Sequence, residues 1–325
     1  MRGIDQRILV GFALLIALIA VLSYLTLFSG AVGLSWSDLS FNGSHYDSVE
    51  TRIFWQIRVP RLVAAVLSGI SLAVAGLSLQ TLFRNPLAGP FVLGISSGAS
   101  LGVALSLLAG FTFGHFGVLS GAAIGALVVT SIVMFVASRF ENSTILLIVG
   151  LLMGYFIDAL VSLLIMGSDA ESLRVYVSWG MGSFGRLTID GIWIFALCMV
   201  VGLVLVALSI RYLNAARMGD DFAKGLGVNV RQGRVMVLLG ASLLAAASTA
   251  FCGPVAFVGI AVPHLSFMLF KTSNHRVLMP ASALCGVVLC LAASQFSKFP
   301  LNAVLSLVGV PVVLWVIVRG GGLRR

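Results

Sequence analysis

The chain has 325 residues, of which 59% are apolar and only 10% are charged. Soluble globular domains carry roughly a quarter charged residues, so this composition excludes a water-soluble protein and favours one integral membrane domain over residues 1–325. The formal net charge is +9, but the 20 basic residues stand singly or in pairs between apolar runs. Nucleic-acid binding needs a basic stripe or patch, so we expect no nucleic-acid partner.

Apolar runs follow one another along the chain, and a membrane-spanning helix needs about 20 such residues. Cutting the sequence at its charged and Pro/Gly-rich joints predicts an all-α membrane protein with about ten spanning helices. The expected spans are 8–28, 62–82, 92–109, 116–137, 144–166, 191–210, 234–251, 255–270, 277–295 and 303–318. The first run is too long for the apolar part of a signal peptide, so we interpret it as a span.

Basic residues are distributed unevenly between alternate joints. If the N-terminus is cytoplasmic, the joints on that side hold 14 of the 20 basic residues, and the outer joints hold the other six together with six acids. Because Lys and Arg accumulate in short cytoplasmic loops, both chain ends are predicted to face the cytoplasm. The outer joint 168–189 contains Tyr176 and Trp179, which suit a short helix at the membrane interface.

The inner joint 214–233 is the most polar internal stretch. Asp220 and Asp221 fall in an expected first helical turn, where carboxylates interact favourably with exposed backbone amides. Its charges, together with the apolar Phe222 and Leu226, favour a docking element for a cytoplasmic partner. A solvated loop is the alternative.

Asp158 is the one acid that falls inside an expected span. Gly150, Gly154, Asp158 and Ser162 recur every four residues along one helix face. A membrane-embedded carboxylate must face water or a partner, which would suit a proton-coupled secondary transporter. The alternative, a protonated or hydrogen-bonded Asp packed against a neighbouring helix, is favoured because a proton-coupled carrier usually needs more than one such residue.

The sequence lacks the patterns of nucleotide hydrolysis and metal binding. It has no Gly-x-x-x-x-Gly-Lys-Ser/Thr phosphate loop, so we expect that any energy from ATP comes from a partner protein. The four histidines are far apart, and none has ligand spacing to another His, Cys or carboxylate. We therefore expect neither an enzyme nor a bound metal or other cofactor.

Several motifs resemble those of one transporter family. They are Arg58-Val-Pro-Arg61, Ala75-Gly-Leu-Ser-Leu-Gln80, Arg84-Asn-Pro-Leu-Ala-Gly-Pro90, Leu93-Gly-Ile-Ser-Ser-Gly-Ala99, Trp179-Gly-Met-Gly-Ser-Phe184, Gly253-Pro-Val-Ala-Phe-Val-Gly-Ile-Ala-Val-Pro-His264 and His275-Arg-Val-Leu-Met-Pro280. In these residues the chain resembles the FecCD-type permeases, the ten-span membrane subunits of ABC importers for iron-siderophores, haem and vitamin B12. The resemblance runs from about residue 52 to the end of the chain.

The resemblance implies a type II ABC importer permease fold and a homodimer with its translocation path along the two-fold axis. It implies residence among the lipids of the bacterial cytoplasmic (inner) membrane, with a cytoplasmic ABC ATPase dimer below. The third partner would be a periplasmic or lipid-anchored substrate-binding protein. The expected cargo is an iron chelate, either siderophore or haem, with cobalamin or an oxyanion such as molybdate as alternatives in the same family.

Three groups of site residues follow from the resemblance. Docking to the binding protein would fall to Arg58, Arg61 and Lys298, although Arg58 and Arg61 could instead anchor a helix end at the lipid headgroups. The cytoplasmic gate would comprise Asn85, Leu87, Ser143 and Thr144. The ATPase-coupling residues would be Arg217, Asp220, Asp221, Phe222, Lys224, Leu226 and Gly227.

Overall fold

The computed structural model describes residues 2–29, 49–111, 117–139 and 143–320, and these ranges contain helices without any strand. In chain order the α-helices are α1 (Arg2–Phe28), α2 (Val49–Ile53), α3 (Val59–Phe83), α4 (Ile95–Leu107), α5 (Val118–Arg139), α6 (Ser143–Met166), α7 (Ala170–Gly180), α8 (Ile189–Leu208), α9 (Ile210–Ala216), α10 (Asp220–Gly225), α11 (Val230–Cys252), α12 (Val258–Phe270), α13 (His275–Ser294) and α14 (Leu301–Gly320). A π-helical turn, Phe54–Arg58, joins α2 to α3, and short 3-10 turns precede α4 and α8.

Seven helices in the described ranges are long and apolar enough to cross a membrane. They are Gln6–Phe28, Val49–Phe83, Val118–Val136, Ile145–Met166, Ile189–Leu208, Val230–Cys252 and His275–Ser294. The other three expected spans correspond to the shorter apolar helices Ile95–Leu107, Val258–Phe270 and Leu301–Trp315. The prediction of an all-α membrane protein is therefore confirmed.

The helices α4 and α12 begin later than the sequence predicts. In each case a residue with left-handed backbone geometry stands directly before the helix, Gly94 with φ 71° and Phe257 with φ 64°. Such a residue cannot continue a right-handed helix, so it separates the helix from the Pro-containing joint before it. Both helices are consequently only 13 residues long.

Close helix contacts in the interior depend on glycine. The central helix α3 packs against α8, α11, α12 and α13. A Cβ atom on Gly76 of α3 would lie 1.8 Å from the carbonyl oxygen of Gly259 in α12. Between α4 and α5, a Cβ on Gly102 would lie 1.8 Å from the carbonyl oxygen of Gly121. Small residues thus allow backbones to touch, as is usual between membrane helices.

The short elements lie at the two ends of the bundle. The helices α9 and α10 lie at the end that we call the cytoplasmic end, following the distribution of basic residues. The helix α7 lies at the opposite, outer end and is the short helix predicted there. Its Trp179 is only 4% exposed, so this side chain packs inside the protein and does not reach out to lipid headgroups.

Candidate functional site

Arg58 is buried at the outer end. It ends the π-helical turn and is 7% exposed, and its Nη1 donates a hydrogen bond to the carbonyl oxygen of Leu27 at 2.6 Å. Beside it, the ring of Phe54 lies 6.1 Å from that of Phe28. In this structure Arg58 therefore joins α1 to the start of α3, and its docking role stays a prediction.

Arg61 and Lys298 lie at the outer rim with more access to solvent. Arg61 is half-buried and lines a cavity of about 50 Å³ between the 182–185 loop and the turn that follows α13. The lining includes Ser183 and Ser297, and the next residue, Lys298, is exposed. Arg61 therefore lines a small polar concavity, and Lys298 is an exposed neighbour in sequence of one lining residue.

The outer end is further held by side chains that bind backbone groups. Arg186 Nη1 donates to the carbonyl oxygen of Trp179 at 2.9 Å. Asn302 accepts a bond from the amide of Ala256 at 3.0 Å and donates one to the carbonyl oxygen of Gly180 at 3.1 Å. These bonds join the end of α7 to the 3-10 turn before α8 and to the first turn of α14, and they join α14 to the joint before α12.

At the cytoplasmic end, α10 and the turns on either side of it carry the predicted coupling residues. Six of these seven are exposed: Arg217, Asp221, Phe222, Lys224, Leu226 and Gly227. Phe222 is 46% exposed and Leu226 61%, so α10 presents apolar side chains between charges. The prediction of a helix with Asp220 and Asp221 in its first turn is confirmed.

Asp220 is the coupling residue that points back into the protein. Its carboxylate receives a bond from Arg234 of α11 at 2.8 Å and lies 3.3 Å from Arg84 at the end of α3. The Arg234 side chain is 6% exposed, whereas that of Arg84 is 49% exposed. We call Asp220, Arg84 and Arg234 the Asp220 clasp.

Arg84 belongs to both the clasp and the loop that carries the predicted gate. It has left-handed geometry, with φ 47°, and its Nε donates to the carbonyl oxygen of Ala216 in α9 at 3.1 Å. A non-glycine residue in this region is strained by roughly 1 kcal/mol or more. The contacts of its guanidinium group hold it there, directly before Asn85.

Two of the four predicted gate residues, Asn85 and Leu87, lie in the 85–89 loop. Asn85 Oδ1 accepts a bond from the amide of Leu87 at 2.9 Å, which closes a tight turn. Leu87 is 45% exposed. The helix α6 begins at Ser143, but the side chains of Ser143 and Thr144 lie outside the described part of the chain. All four gate roles stay predictions.

A second network lies beside the clasp. His275, 1% exposed, contacts Asn214 Oδ1 through Nδ1 at 2.8 Å and Thr81 Oγ1 through Nε2 at 2.9 Å. The three residues belong to α13, α9 and α3, so the histidine ties three elements together. It borders a cavity of about 280 Å³ that is also lined by Arg84 and Asn85.

Asp158 lies on α6, and its side chain is exposed on the surface of the protomer. Among the described residues its carboxylate makes neither a hydrogen bond nor an ion pair. In the single protomer the Asp158 side chain therefore lies on the surface and does not pack against a neighbouring helix, and its role stays a prediction. No cluster of three potential metal ligands occurs in the described ranges either.

With this geometry described, the chain can be compared with known proteins. The model of the FecCD transport family matches residues 16–319. This chain belongs to the FecCD transport family. The hemin transport system permease protein HmuU of Yersinia pestis is 36% identical over 329 residues, 97% of each chain. The vitamin B12 import system permease protein BtuC of Vibrio cholerae is 34% identical over 288 residues, covering 85% of this chain and 86% of its own.

The FecCD fold is also found among solved structures. An inward-facing ABC transporter assigned to the metal-chelate type matches with a TM-score of 0.81 at 30% identity, over 95% of this chain and 97% of its own. The chain is therefore a multi-pass membrane protein and an ABC importer permease with the type II fold. Permeases of this kind are not themselves enzymes, because a separate subunit hydrolyses ATP.

Sequence reasoning missed several residues of these networks. The motifs and the charge pattern singled out neither Arg234 nor Asn302. A charge in the first turn of a largely buried helix was the available signal for Arg234, since such a charge needs a partner. Nothing in the sequence identified that partner as Asp220, which is 14 positions away.

Proposed function

We propose that two copies of this chain form the gated path by which a binding-protein-dependent ABC importer moves an iron chelate, siderophore or haem, across the bacterial cytoplasmic (inner) membrane. An ATPase dimer on the cytoplasmic side would supply the energy. A periplasmic or lipid-anchored binding protein would deliver the cargo. The observation that carries this proposal is the arrangement of α10. This helix exposes charged and apolar side chains to solvent, and its Asp220 forms ion pairs with Arg84 and Arg234 at the ends of two long helices.

The Asp220 clasp supports coupling between the ATPase and the gate. A partner that moves α10 would pull on the carboxylate of Asp220, and through it on Arg84 at 3.3 Å. Arg84 directly precedes Asn85, so the displacement would reach the predicted gate loop over a short distance. Side-chain networks with two arrangements are the physical means by which distant sites become coupled.

The outer rim supports docking of the binding protein. Arg61 lines the small cavity at the rim, and the exposed Lys298 follows Ser297 of its lining. Basic groups at a rim attract and orient an acidic partner more than they add affinity. Arg58 is too buried to take an equal part. Its contact with Leu27 indicates that it contributes by holding α1 against α3.

The iron-chelate cargo is supported by the likeness to the hemin permease HmuU, which covers 97% of each chain. The likeness to BtuC makes cobalamin the alternative. A path between two protomers suits such bulky ligands, and the binding protein that presents them makes the first selection.

The proposal is tested by uptake into proteoliposomes that contain the permease and its ATPase, with the binding protein added outside and ATP trapped inside. Ferric siderophores, haem and cobalamin would be offered in parallel. We expect uptake of an iron chelate only when all three proteins and internal ATP are present. Uptake without the ATPase, driven by a pH gradient, would contradict the proposal.

The docking surface is tested in the same vesicles with Arg61→Glu and Lys298→Glu. We expect each charge reversal to weaken binding-protein affinity roughly tenfold and to reduce its dependence on salt. Arg174→Glu is the matched control, because Arg174 is also exposed at the outer end but pairs with Glu171 at 2.9 Å. Equal effects of all three reversals would indicate that the overall positive charge of the outer end attracts the binding protein and that Arg61 and Lys298 do not form a docking site.

A further inference from the structure

The face of α6 that carries Asp158 is unusual for a membrane helix. Asp158 lies eight residues before the end of α6 at Met166, about 12 Å along the helix and hence well inside the span. On the same face, Tyr155 and Ser162 are exposed one turn to either side. A charged carboxylate at this depth is expensive in lipid, so this face must meet water or another protein.

The helix α8 shows what a lipid-facing surface looks like in this protein. Its exposed large side chains are all apolar: Trp193, Ile194, Leu197, Val200, Val201, Val204 and Leu208. No Asp, Glu, Lys, Arg or His interrupts that surface between residues 193 and 208. The helix α6 also exposes apolar side chains such as Leu151 and Leu163, so the two helices differ in the polar strip of Tyr155, Asp158 and Ser162 that α8 lacks.

Further polar groups line the edge of the Asp158 face. Ser97 of α4 lies beside Gly154, with its Oγ 3.7 Å from the position of a Cβ on that glycine. Ser100, one turn further along α4, bonds Tyr176 of α7 at 2.7 Å between hydroxyl oxygens. Burial raises the pKa of Tyr176, and the negative charge of nearby Asp158 adds to the rise. Hydroxyl groups of α4 and α7 therefore lie near the edge of the face that carries Asp158.

We infer that the Asp158 face lines the water-filled import path between the two protomers and that Asp158 makes this path selective for metal chelates of zero or positive net charge. The inference rests on the proposed function, since the second protomer would supply a second Asp158. Two carboxylates in a confined path attract cations and repel anions, because the surrounding helices lower the dielectric constant. Neutral or cationic siderophore complexes would therefore pass more readily than tris-catecholates or molybdate. Of the two cargo classes proposed above, the inference favours siderophores over haem, whose two propionates are anionic.

The test measures the charge preference of the path without knowledge of the natural cargo. Ser162→Cys is introduced in a background with Cys198, the half-exposed native cysteine, replaced by Ala. The full permease, reconstituted with its ATPase, is treated with a cationic and an anionic methanethiosulfonate reagent, with and without ATP. We expect the cationic reagent to react faster, and Asp158→Asn to lower the cation-to-anion rate ratio roughly tenfold.

Two matched variants keep the result interpretable. Leu197→Cys on the lipid face of α8 should react with neither charged reagent. Asp158→Glu, which keeps the charge, should preserve the rate ratio and so distinguish electrostatics from a loss of folding. An unreactive Ser162→Cys, or a ratio unaffected by Asp158→Asn, would overturn the inference.

The cargo itself provides an independent arm. ATP-dependent uptake by the wild type is measured for one ferric hydroxamate scaffold that bears a free amine, an acetylated amine or a succinylated amine, and for a ferric tris-catecholate. We expect the wild type to favour the amine and acetyl forms and this preference to weaken in Asp158→Asn, a comparison in which the binding protein is unchanged. A preference that Asp158→Asn leaves unaltered would overturn the charge selectivity of the path. Loss of all ATP dependence would instead contradict the proposed function, and the two failures are thus distinguishable.

Discussion

The two ends of the helix bundle are held together by different kinds of contact. At the cytoplasmic end a carboxylate is shared between two guanidinium groups, those of Arg84 and Arg234. At the outer end the side chains of Arg186 and Asn302 bind backbone carbonyl and amide groups. A backbone group cannot move without its segment, whereas a shared carboxylate can change its balance between two partners. We therefore predict that the cytoplasmic end transmits movement and that the outer end resists it.

The largest effect is expected from Asp220→Ala, which removes the clasp. Because Arg234 is almost completely buried, loss of its partner should lower the free energy of unfolding by about 3 kcal/mol. The ATPase should still turn over while transport per ATP falls at least tenfold. Both quantities are measured in the reconstituted complex, together with thermal unfolding.

The neighbouring Asp221→Ala is the matched control for the clasp. Asp221 is fully exposed and lies 3.9 Å from Lys224, an ion pair of the kind that contributes little. We expect its stability and transport per ATP to match the wild type. Normal coupling in Asp220→Ala would show that the cytoplasmic end does not transmit movement through this residue.

A somewhat smaller effect is expected from His275→Ala, which removes the tie between α3, α9 and α13. The change removes the imidazole that contacts Asn214 Oδ1 and Thr81 Oγ1, at a cost of about 2 kcal/mol, whereas the bond from the backbone amide of residue 275 to Asn214 Oδ1 is retained. His264→Ala is the control, because His264 is only half-buried and bonds Ile260 within its own helix. Thermal unfolding in detergent compares the two variants, and equal losses would remove His275 from the network.

At the outer end, Asn302→Ala should lower the free energy of unfolding by about 1–2 kcal/mol, because the Ala256 amide and the Gly180 carbonyl group lose their partner. Asn302→Asp keeps the acceptor for Ala256 and should lose less. Transport per ATP should be unchanged in both variants. A coupling defect here would contradict the distinction between a moving and a resisting end.

The smallest effect concerns the start of α7. Asp169 accepts bonds from the amides of Ser172 and Glu171, and these bonds, that of Ser172 above all, hold its pKa below the ordinary value. A lowered pKa stabilises the folded state above about pH 4 and loses this effect as the pH falls through the folded-state value. Amide hydrogen exchange of α7 should therefore quicken at low pH in the wild type. Asp169→Asn keeps an acceptor oxygen and should abolish that pH dependence.

Much of the architecture could be predicted from local signals. Hydropathy located all ten apolar helices, and the motifs identified the family, because both are read along the chain without knowledge of packing. The starts of α4 and α12 were predicted too early, since the left-handed geometry of Gly94 and Phe257 arises from how their joints fold against neighbouring helices. The exposure of individual site residues could not be predicted either, because it also depends on how the helices pack against one another.

The sequence by itself determined that this is a membrane protein, where its helices lie and to which family it belongs, because apolar length, charge distribution and motif order are properties of a one-dimensional chain. Only the tertiary structure decided that Arg58 is buried, that Asp220 points inward and that Asp158 is exposed. The direction of a side chain depends on the rotation of its helix against partners far away in sequence. Arg84 and Arg234, 150 residues apart, meet at one carboxylate for that reason.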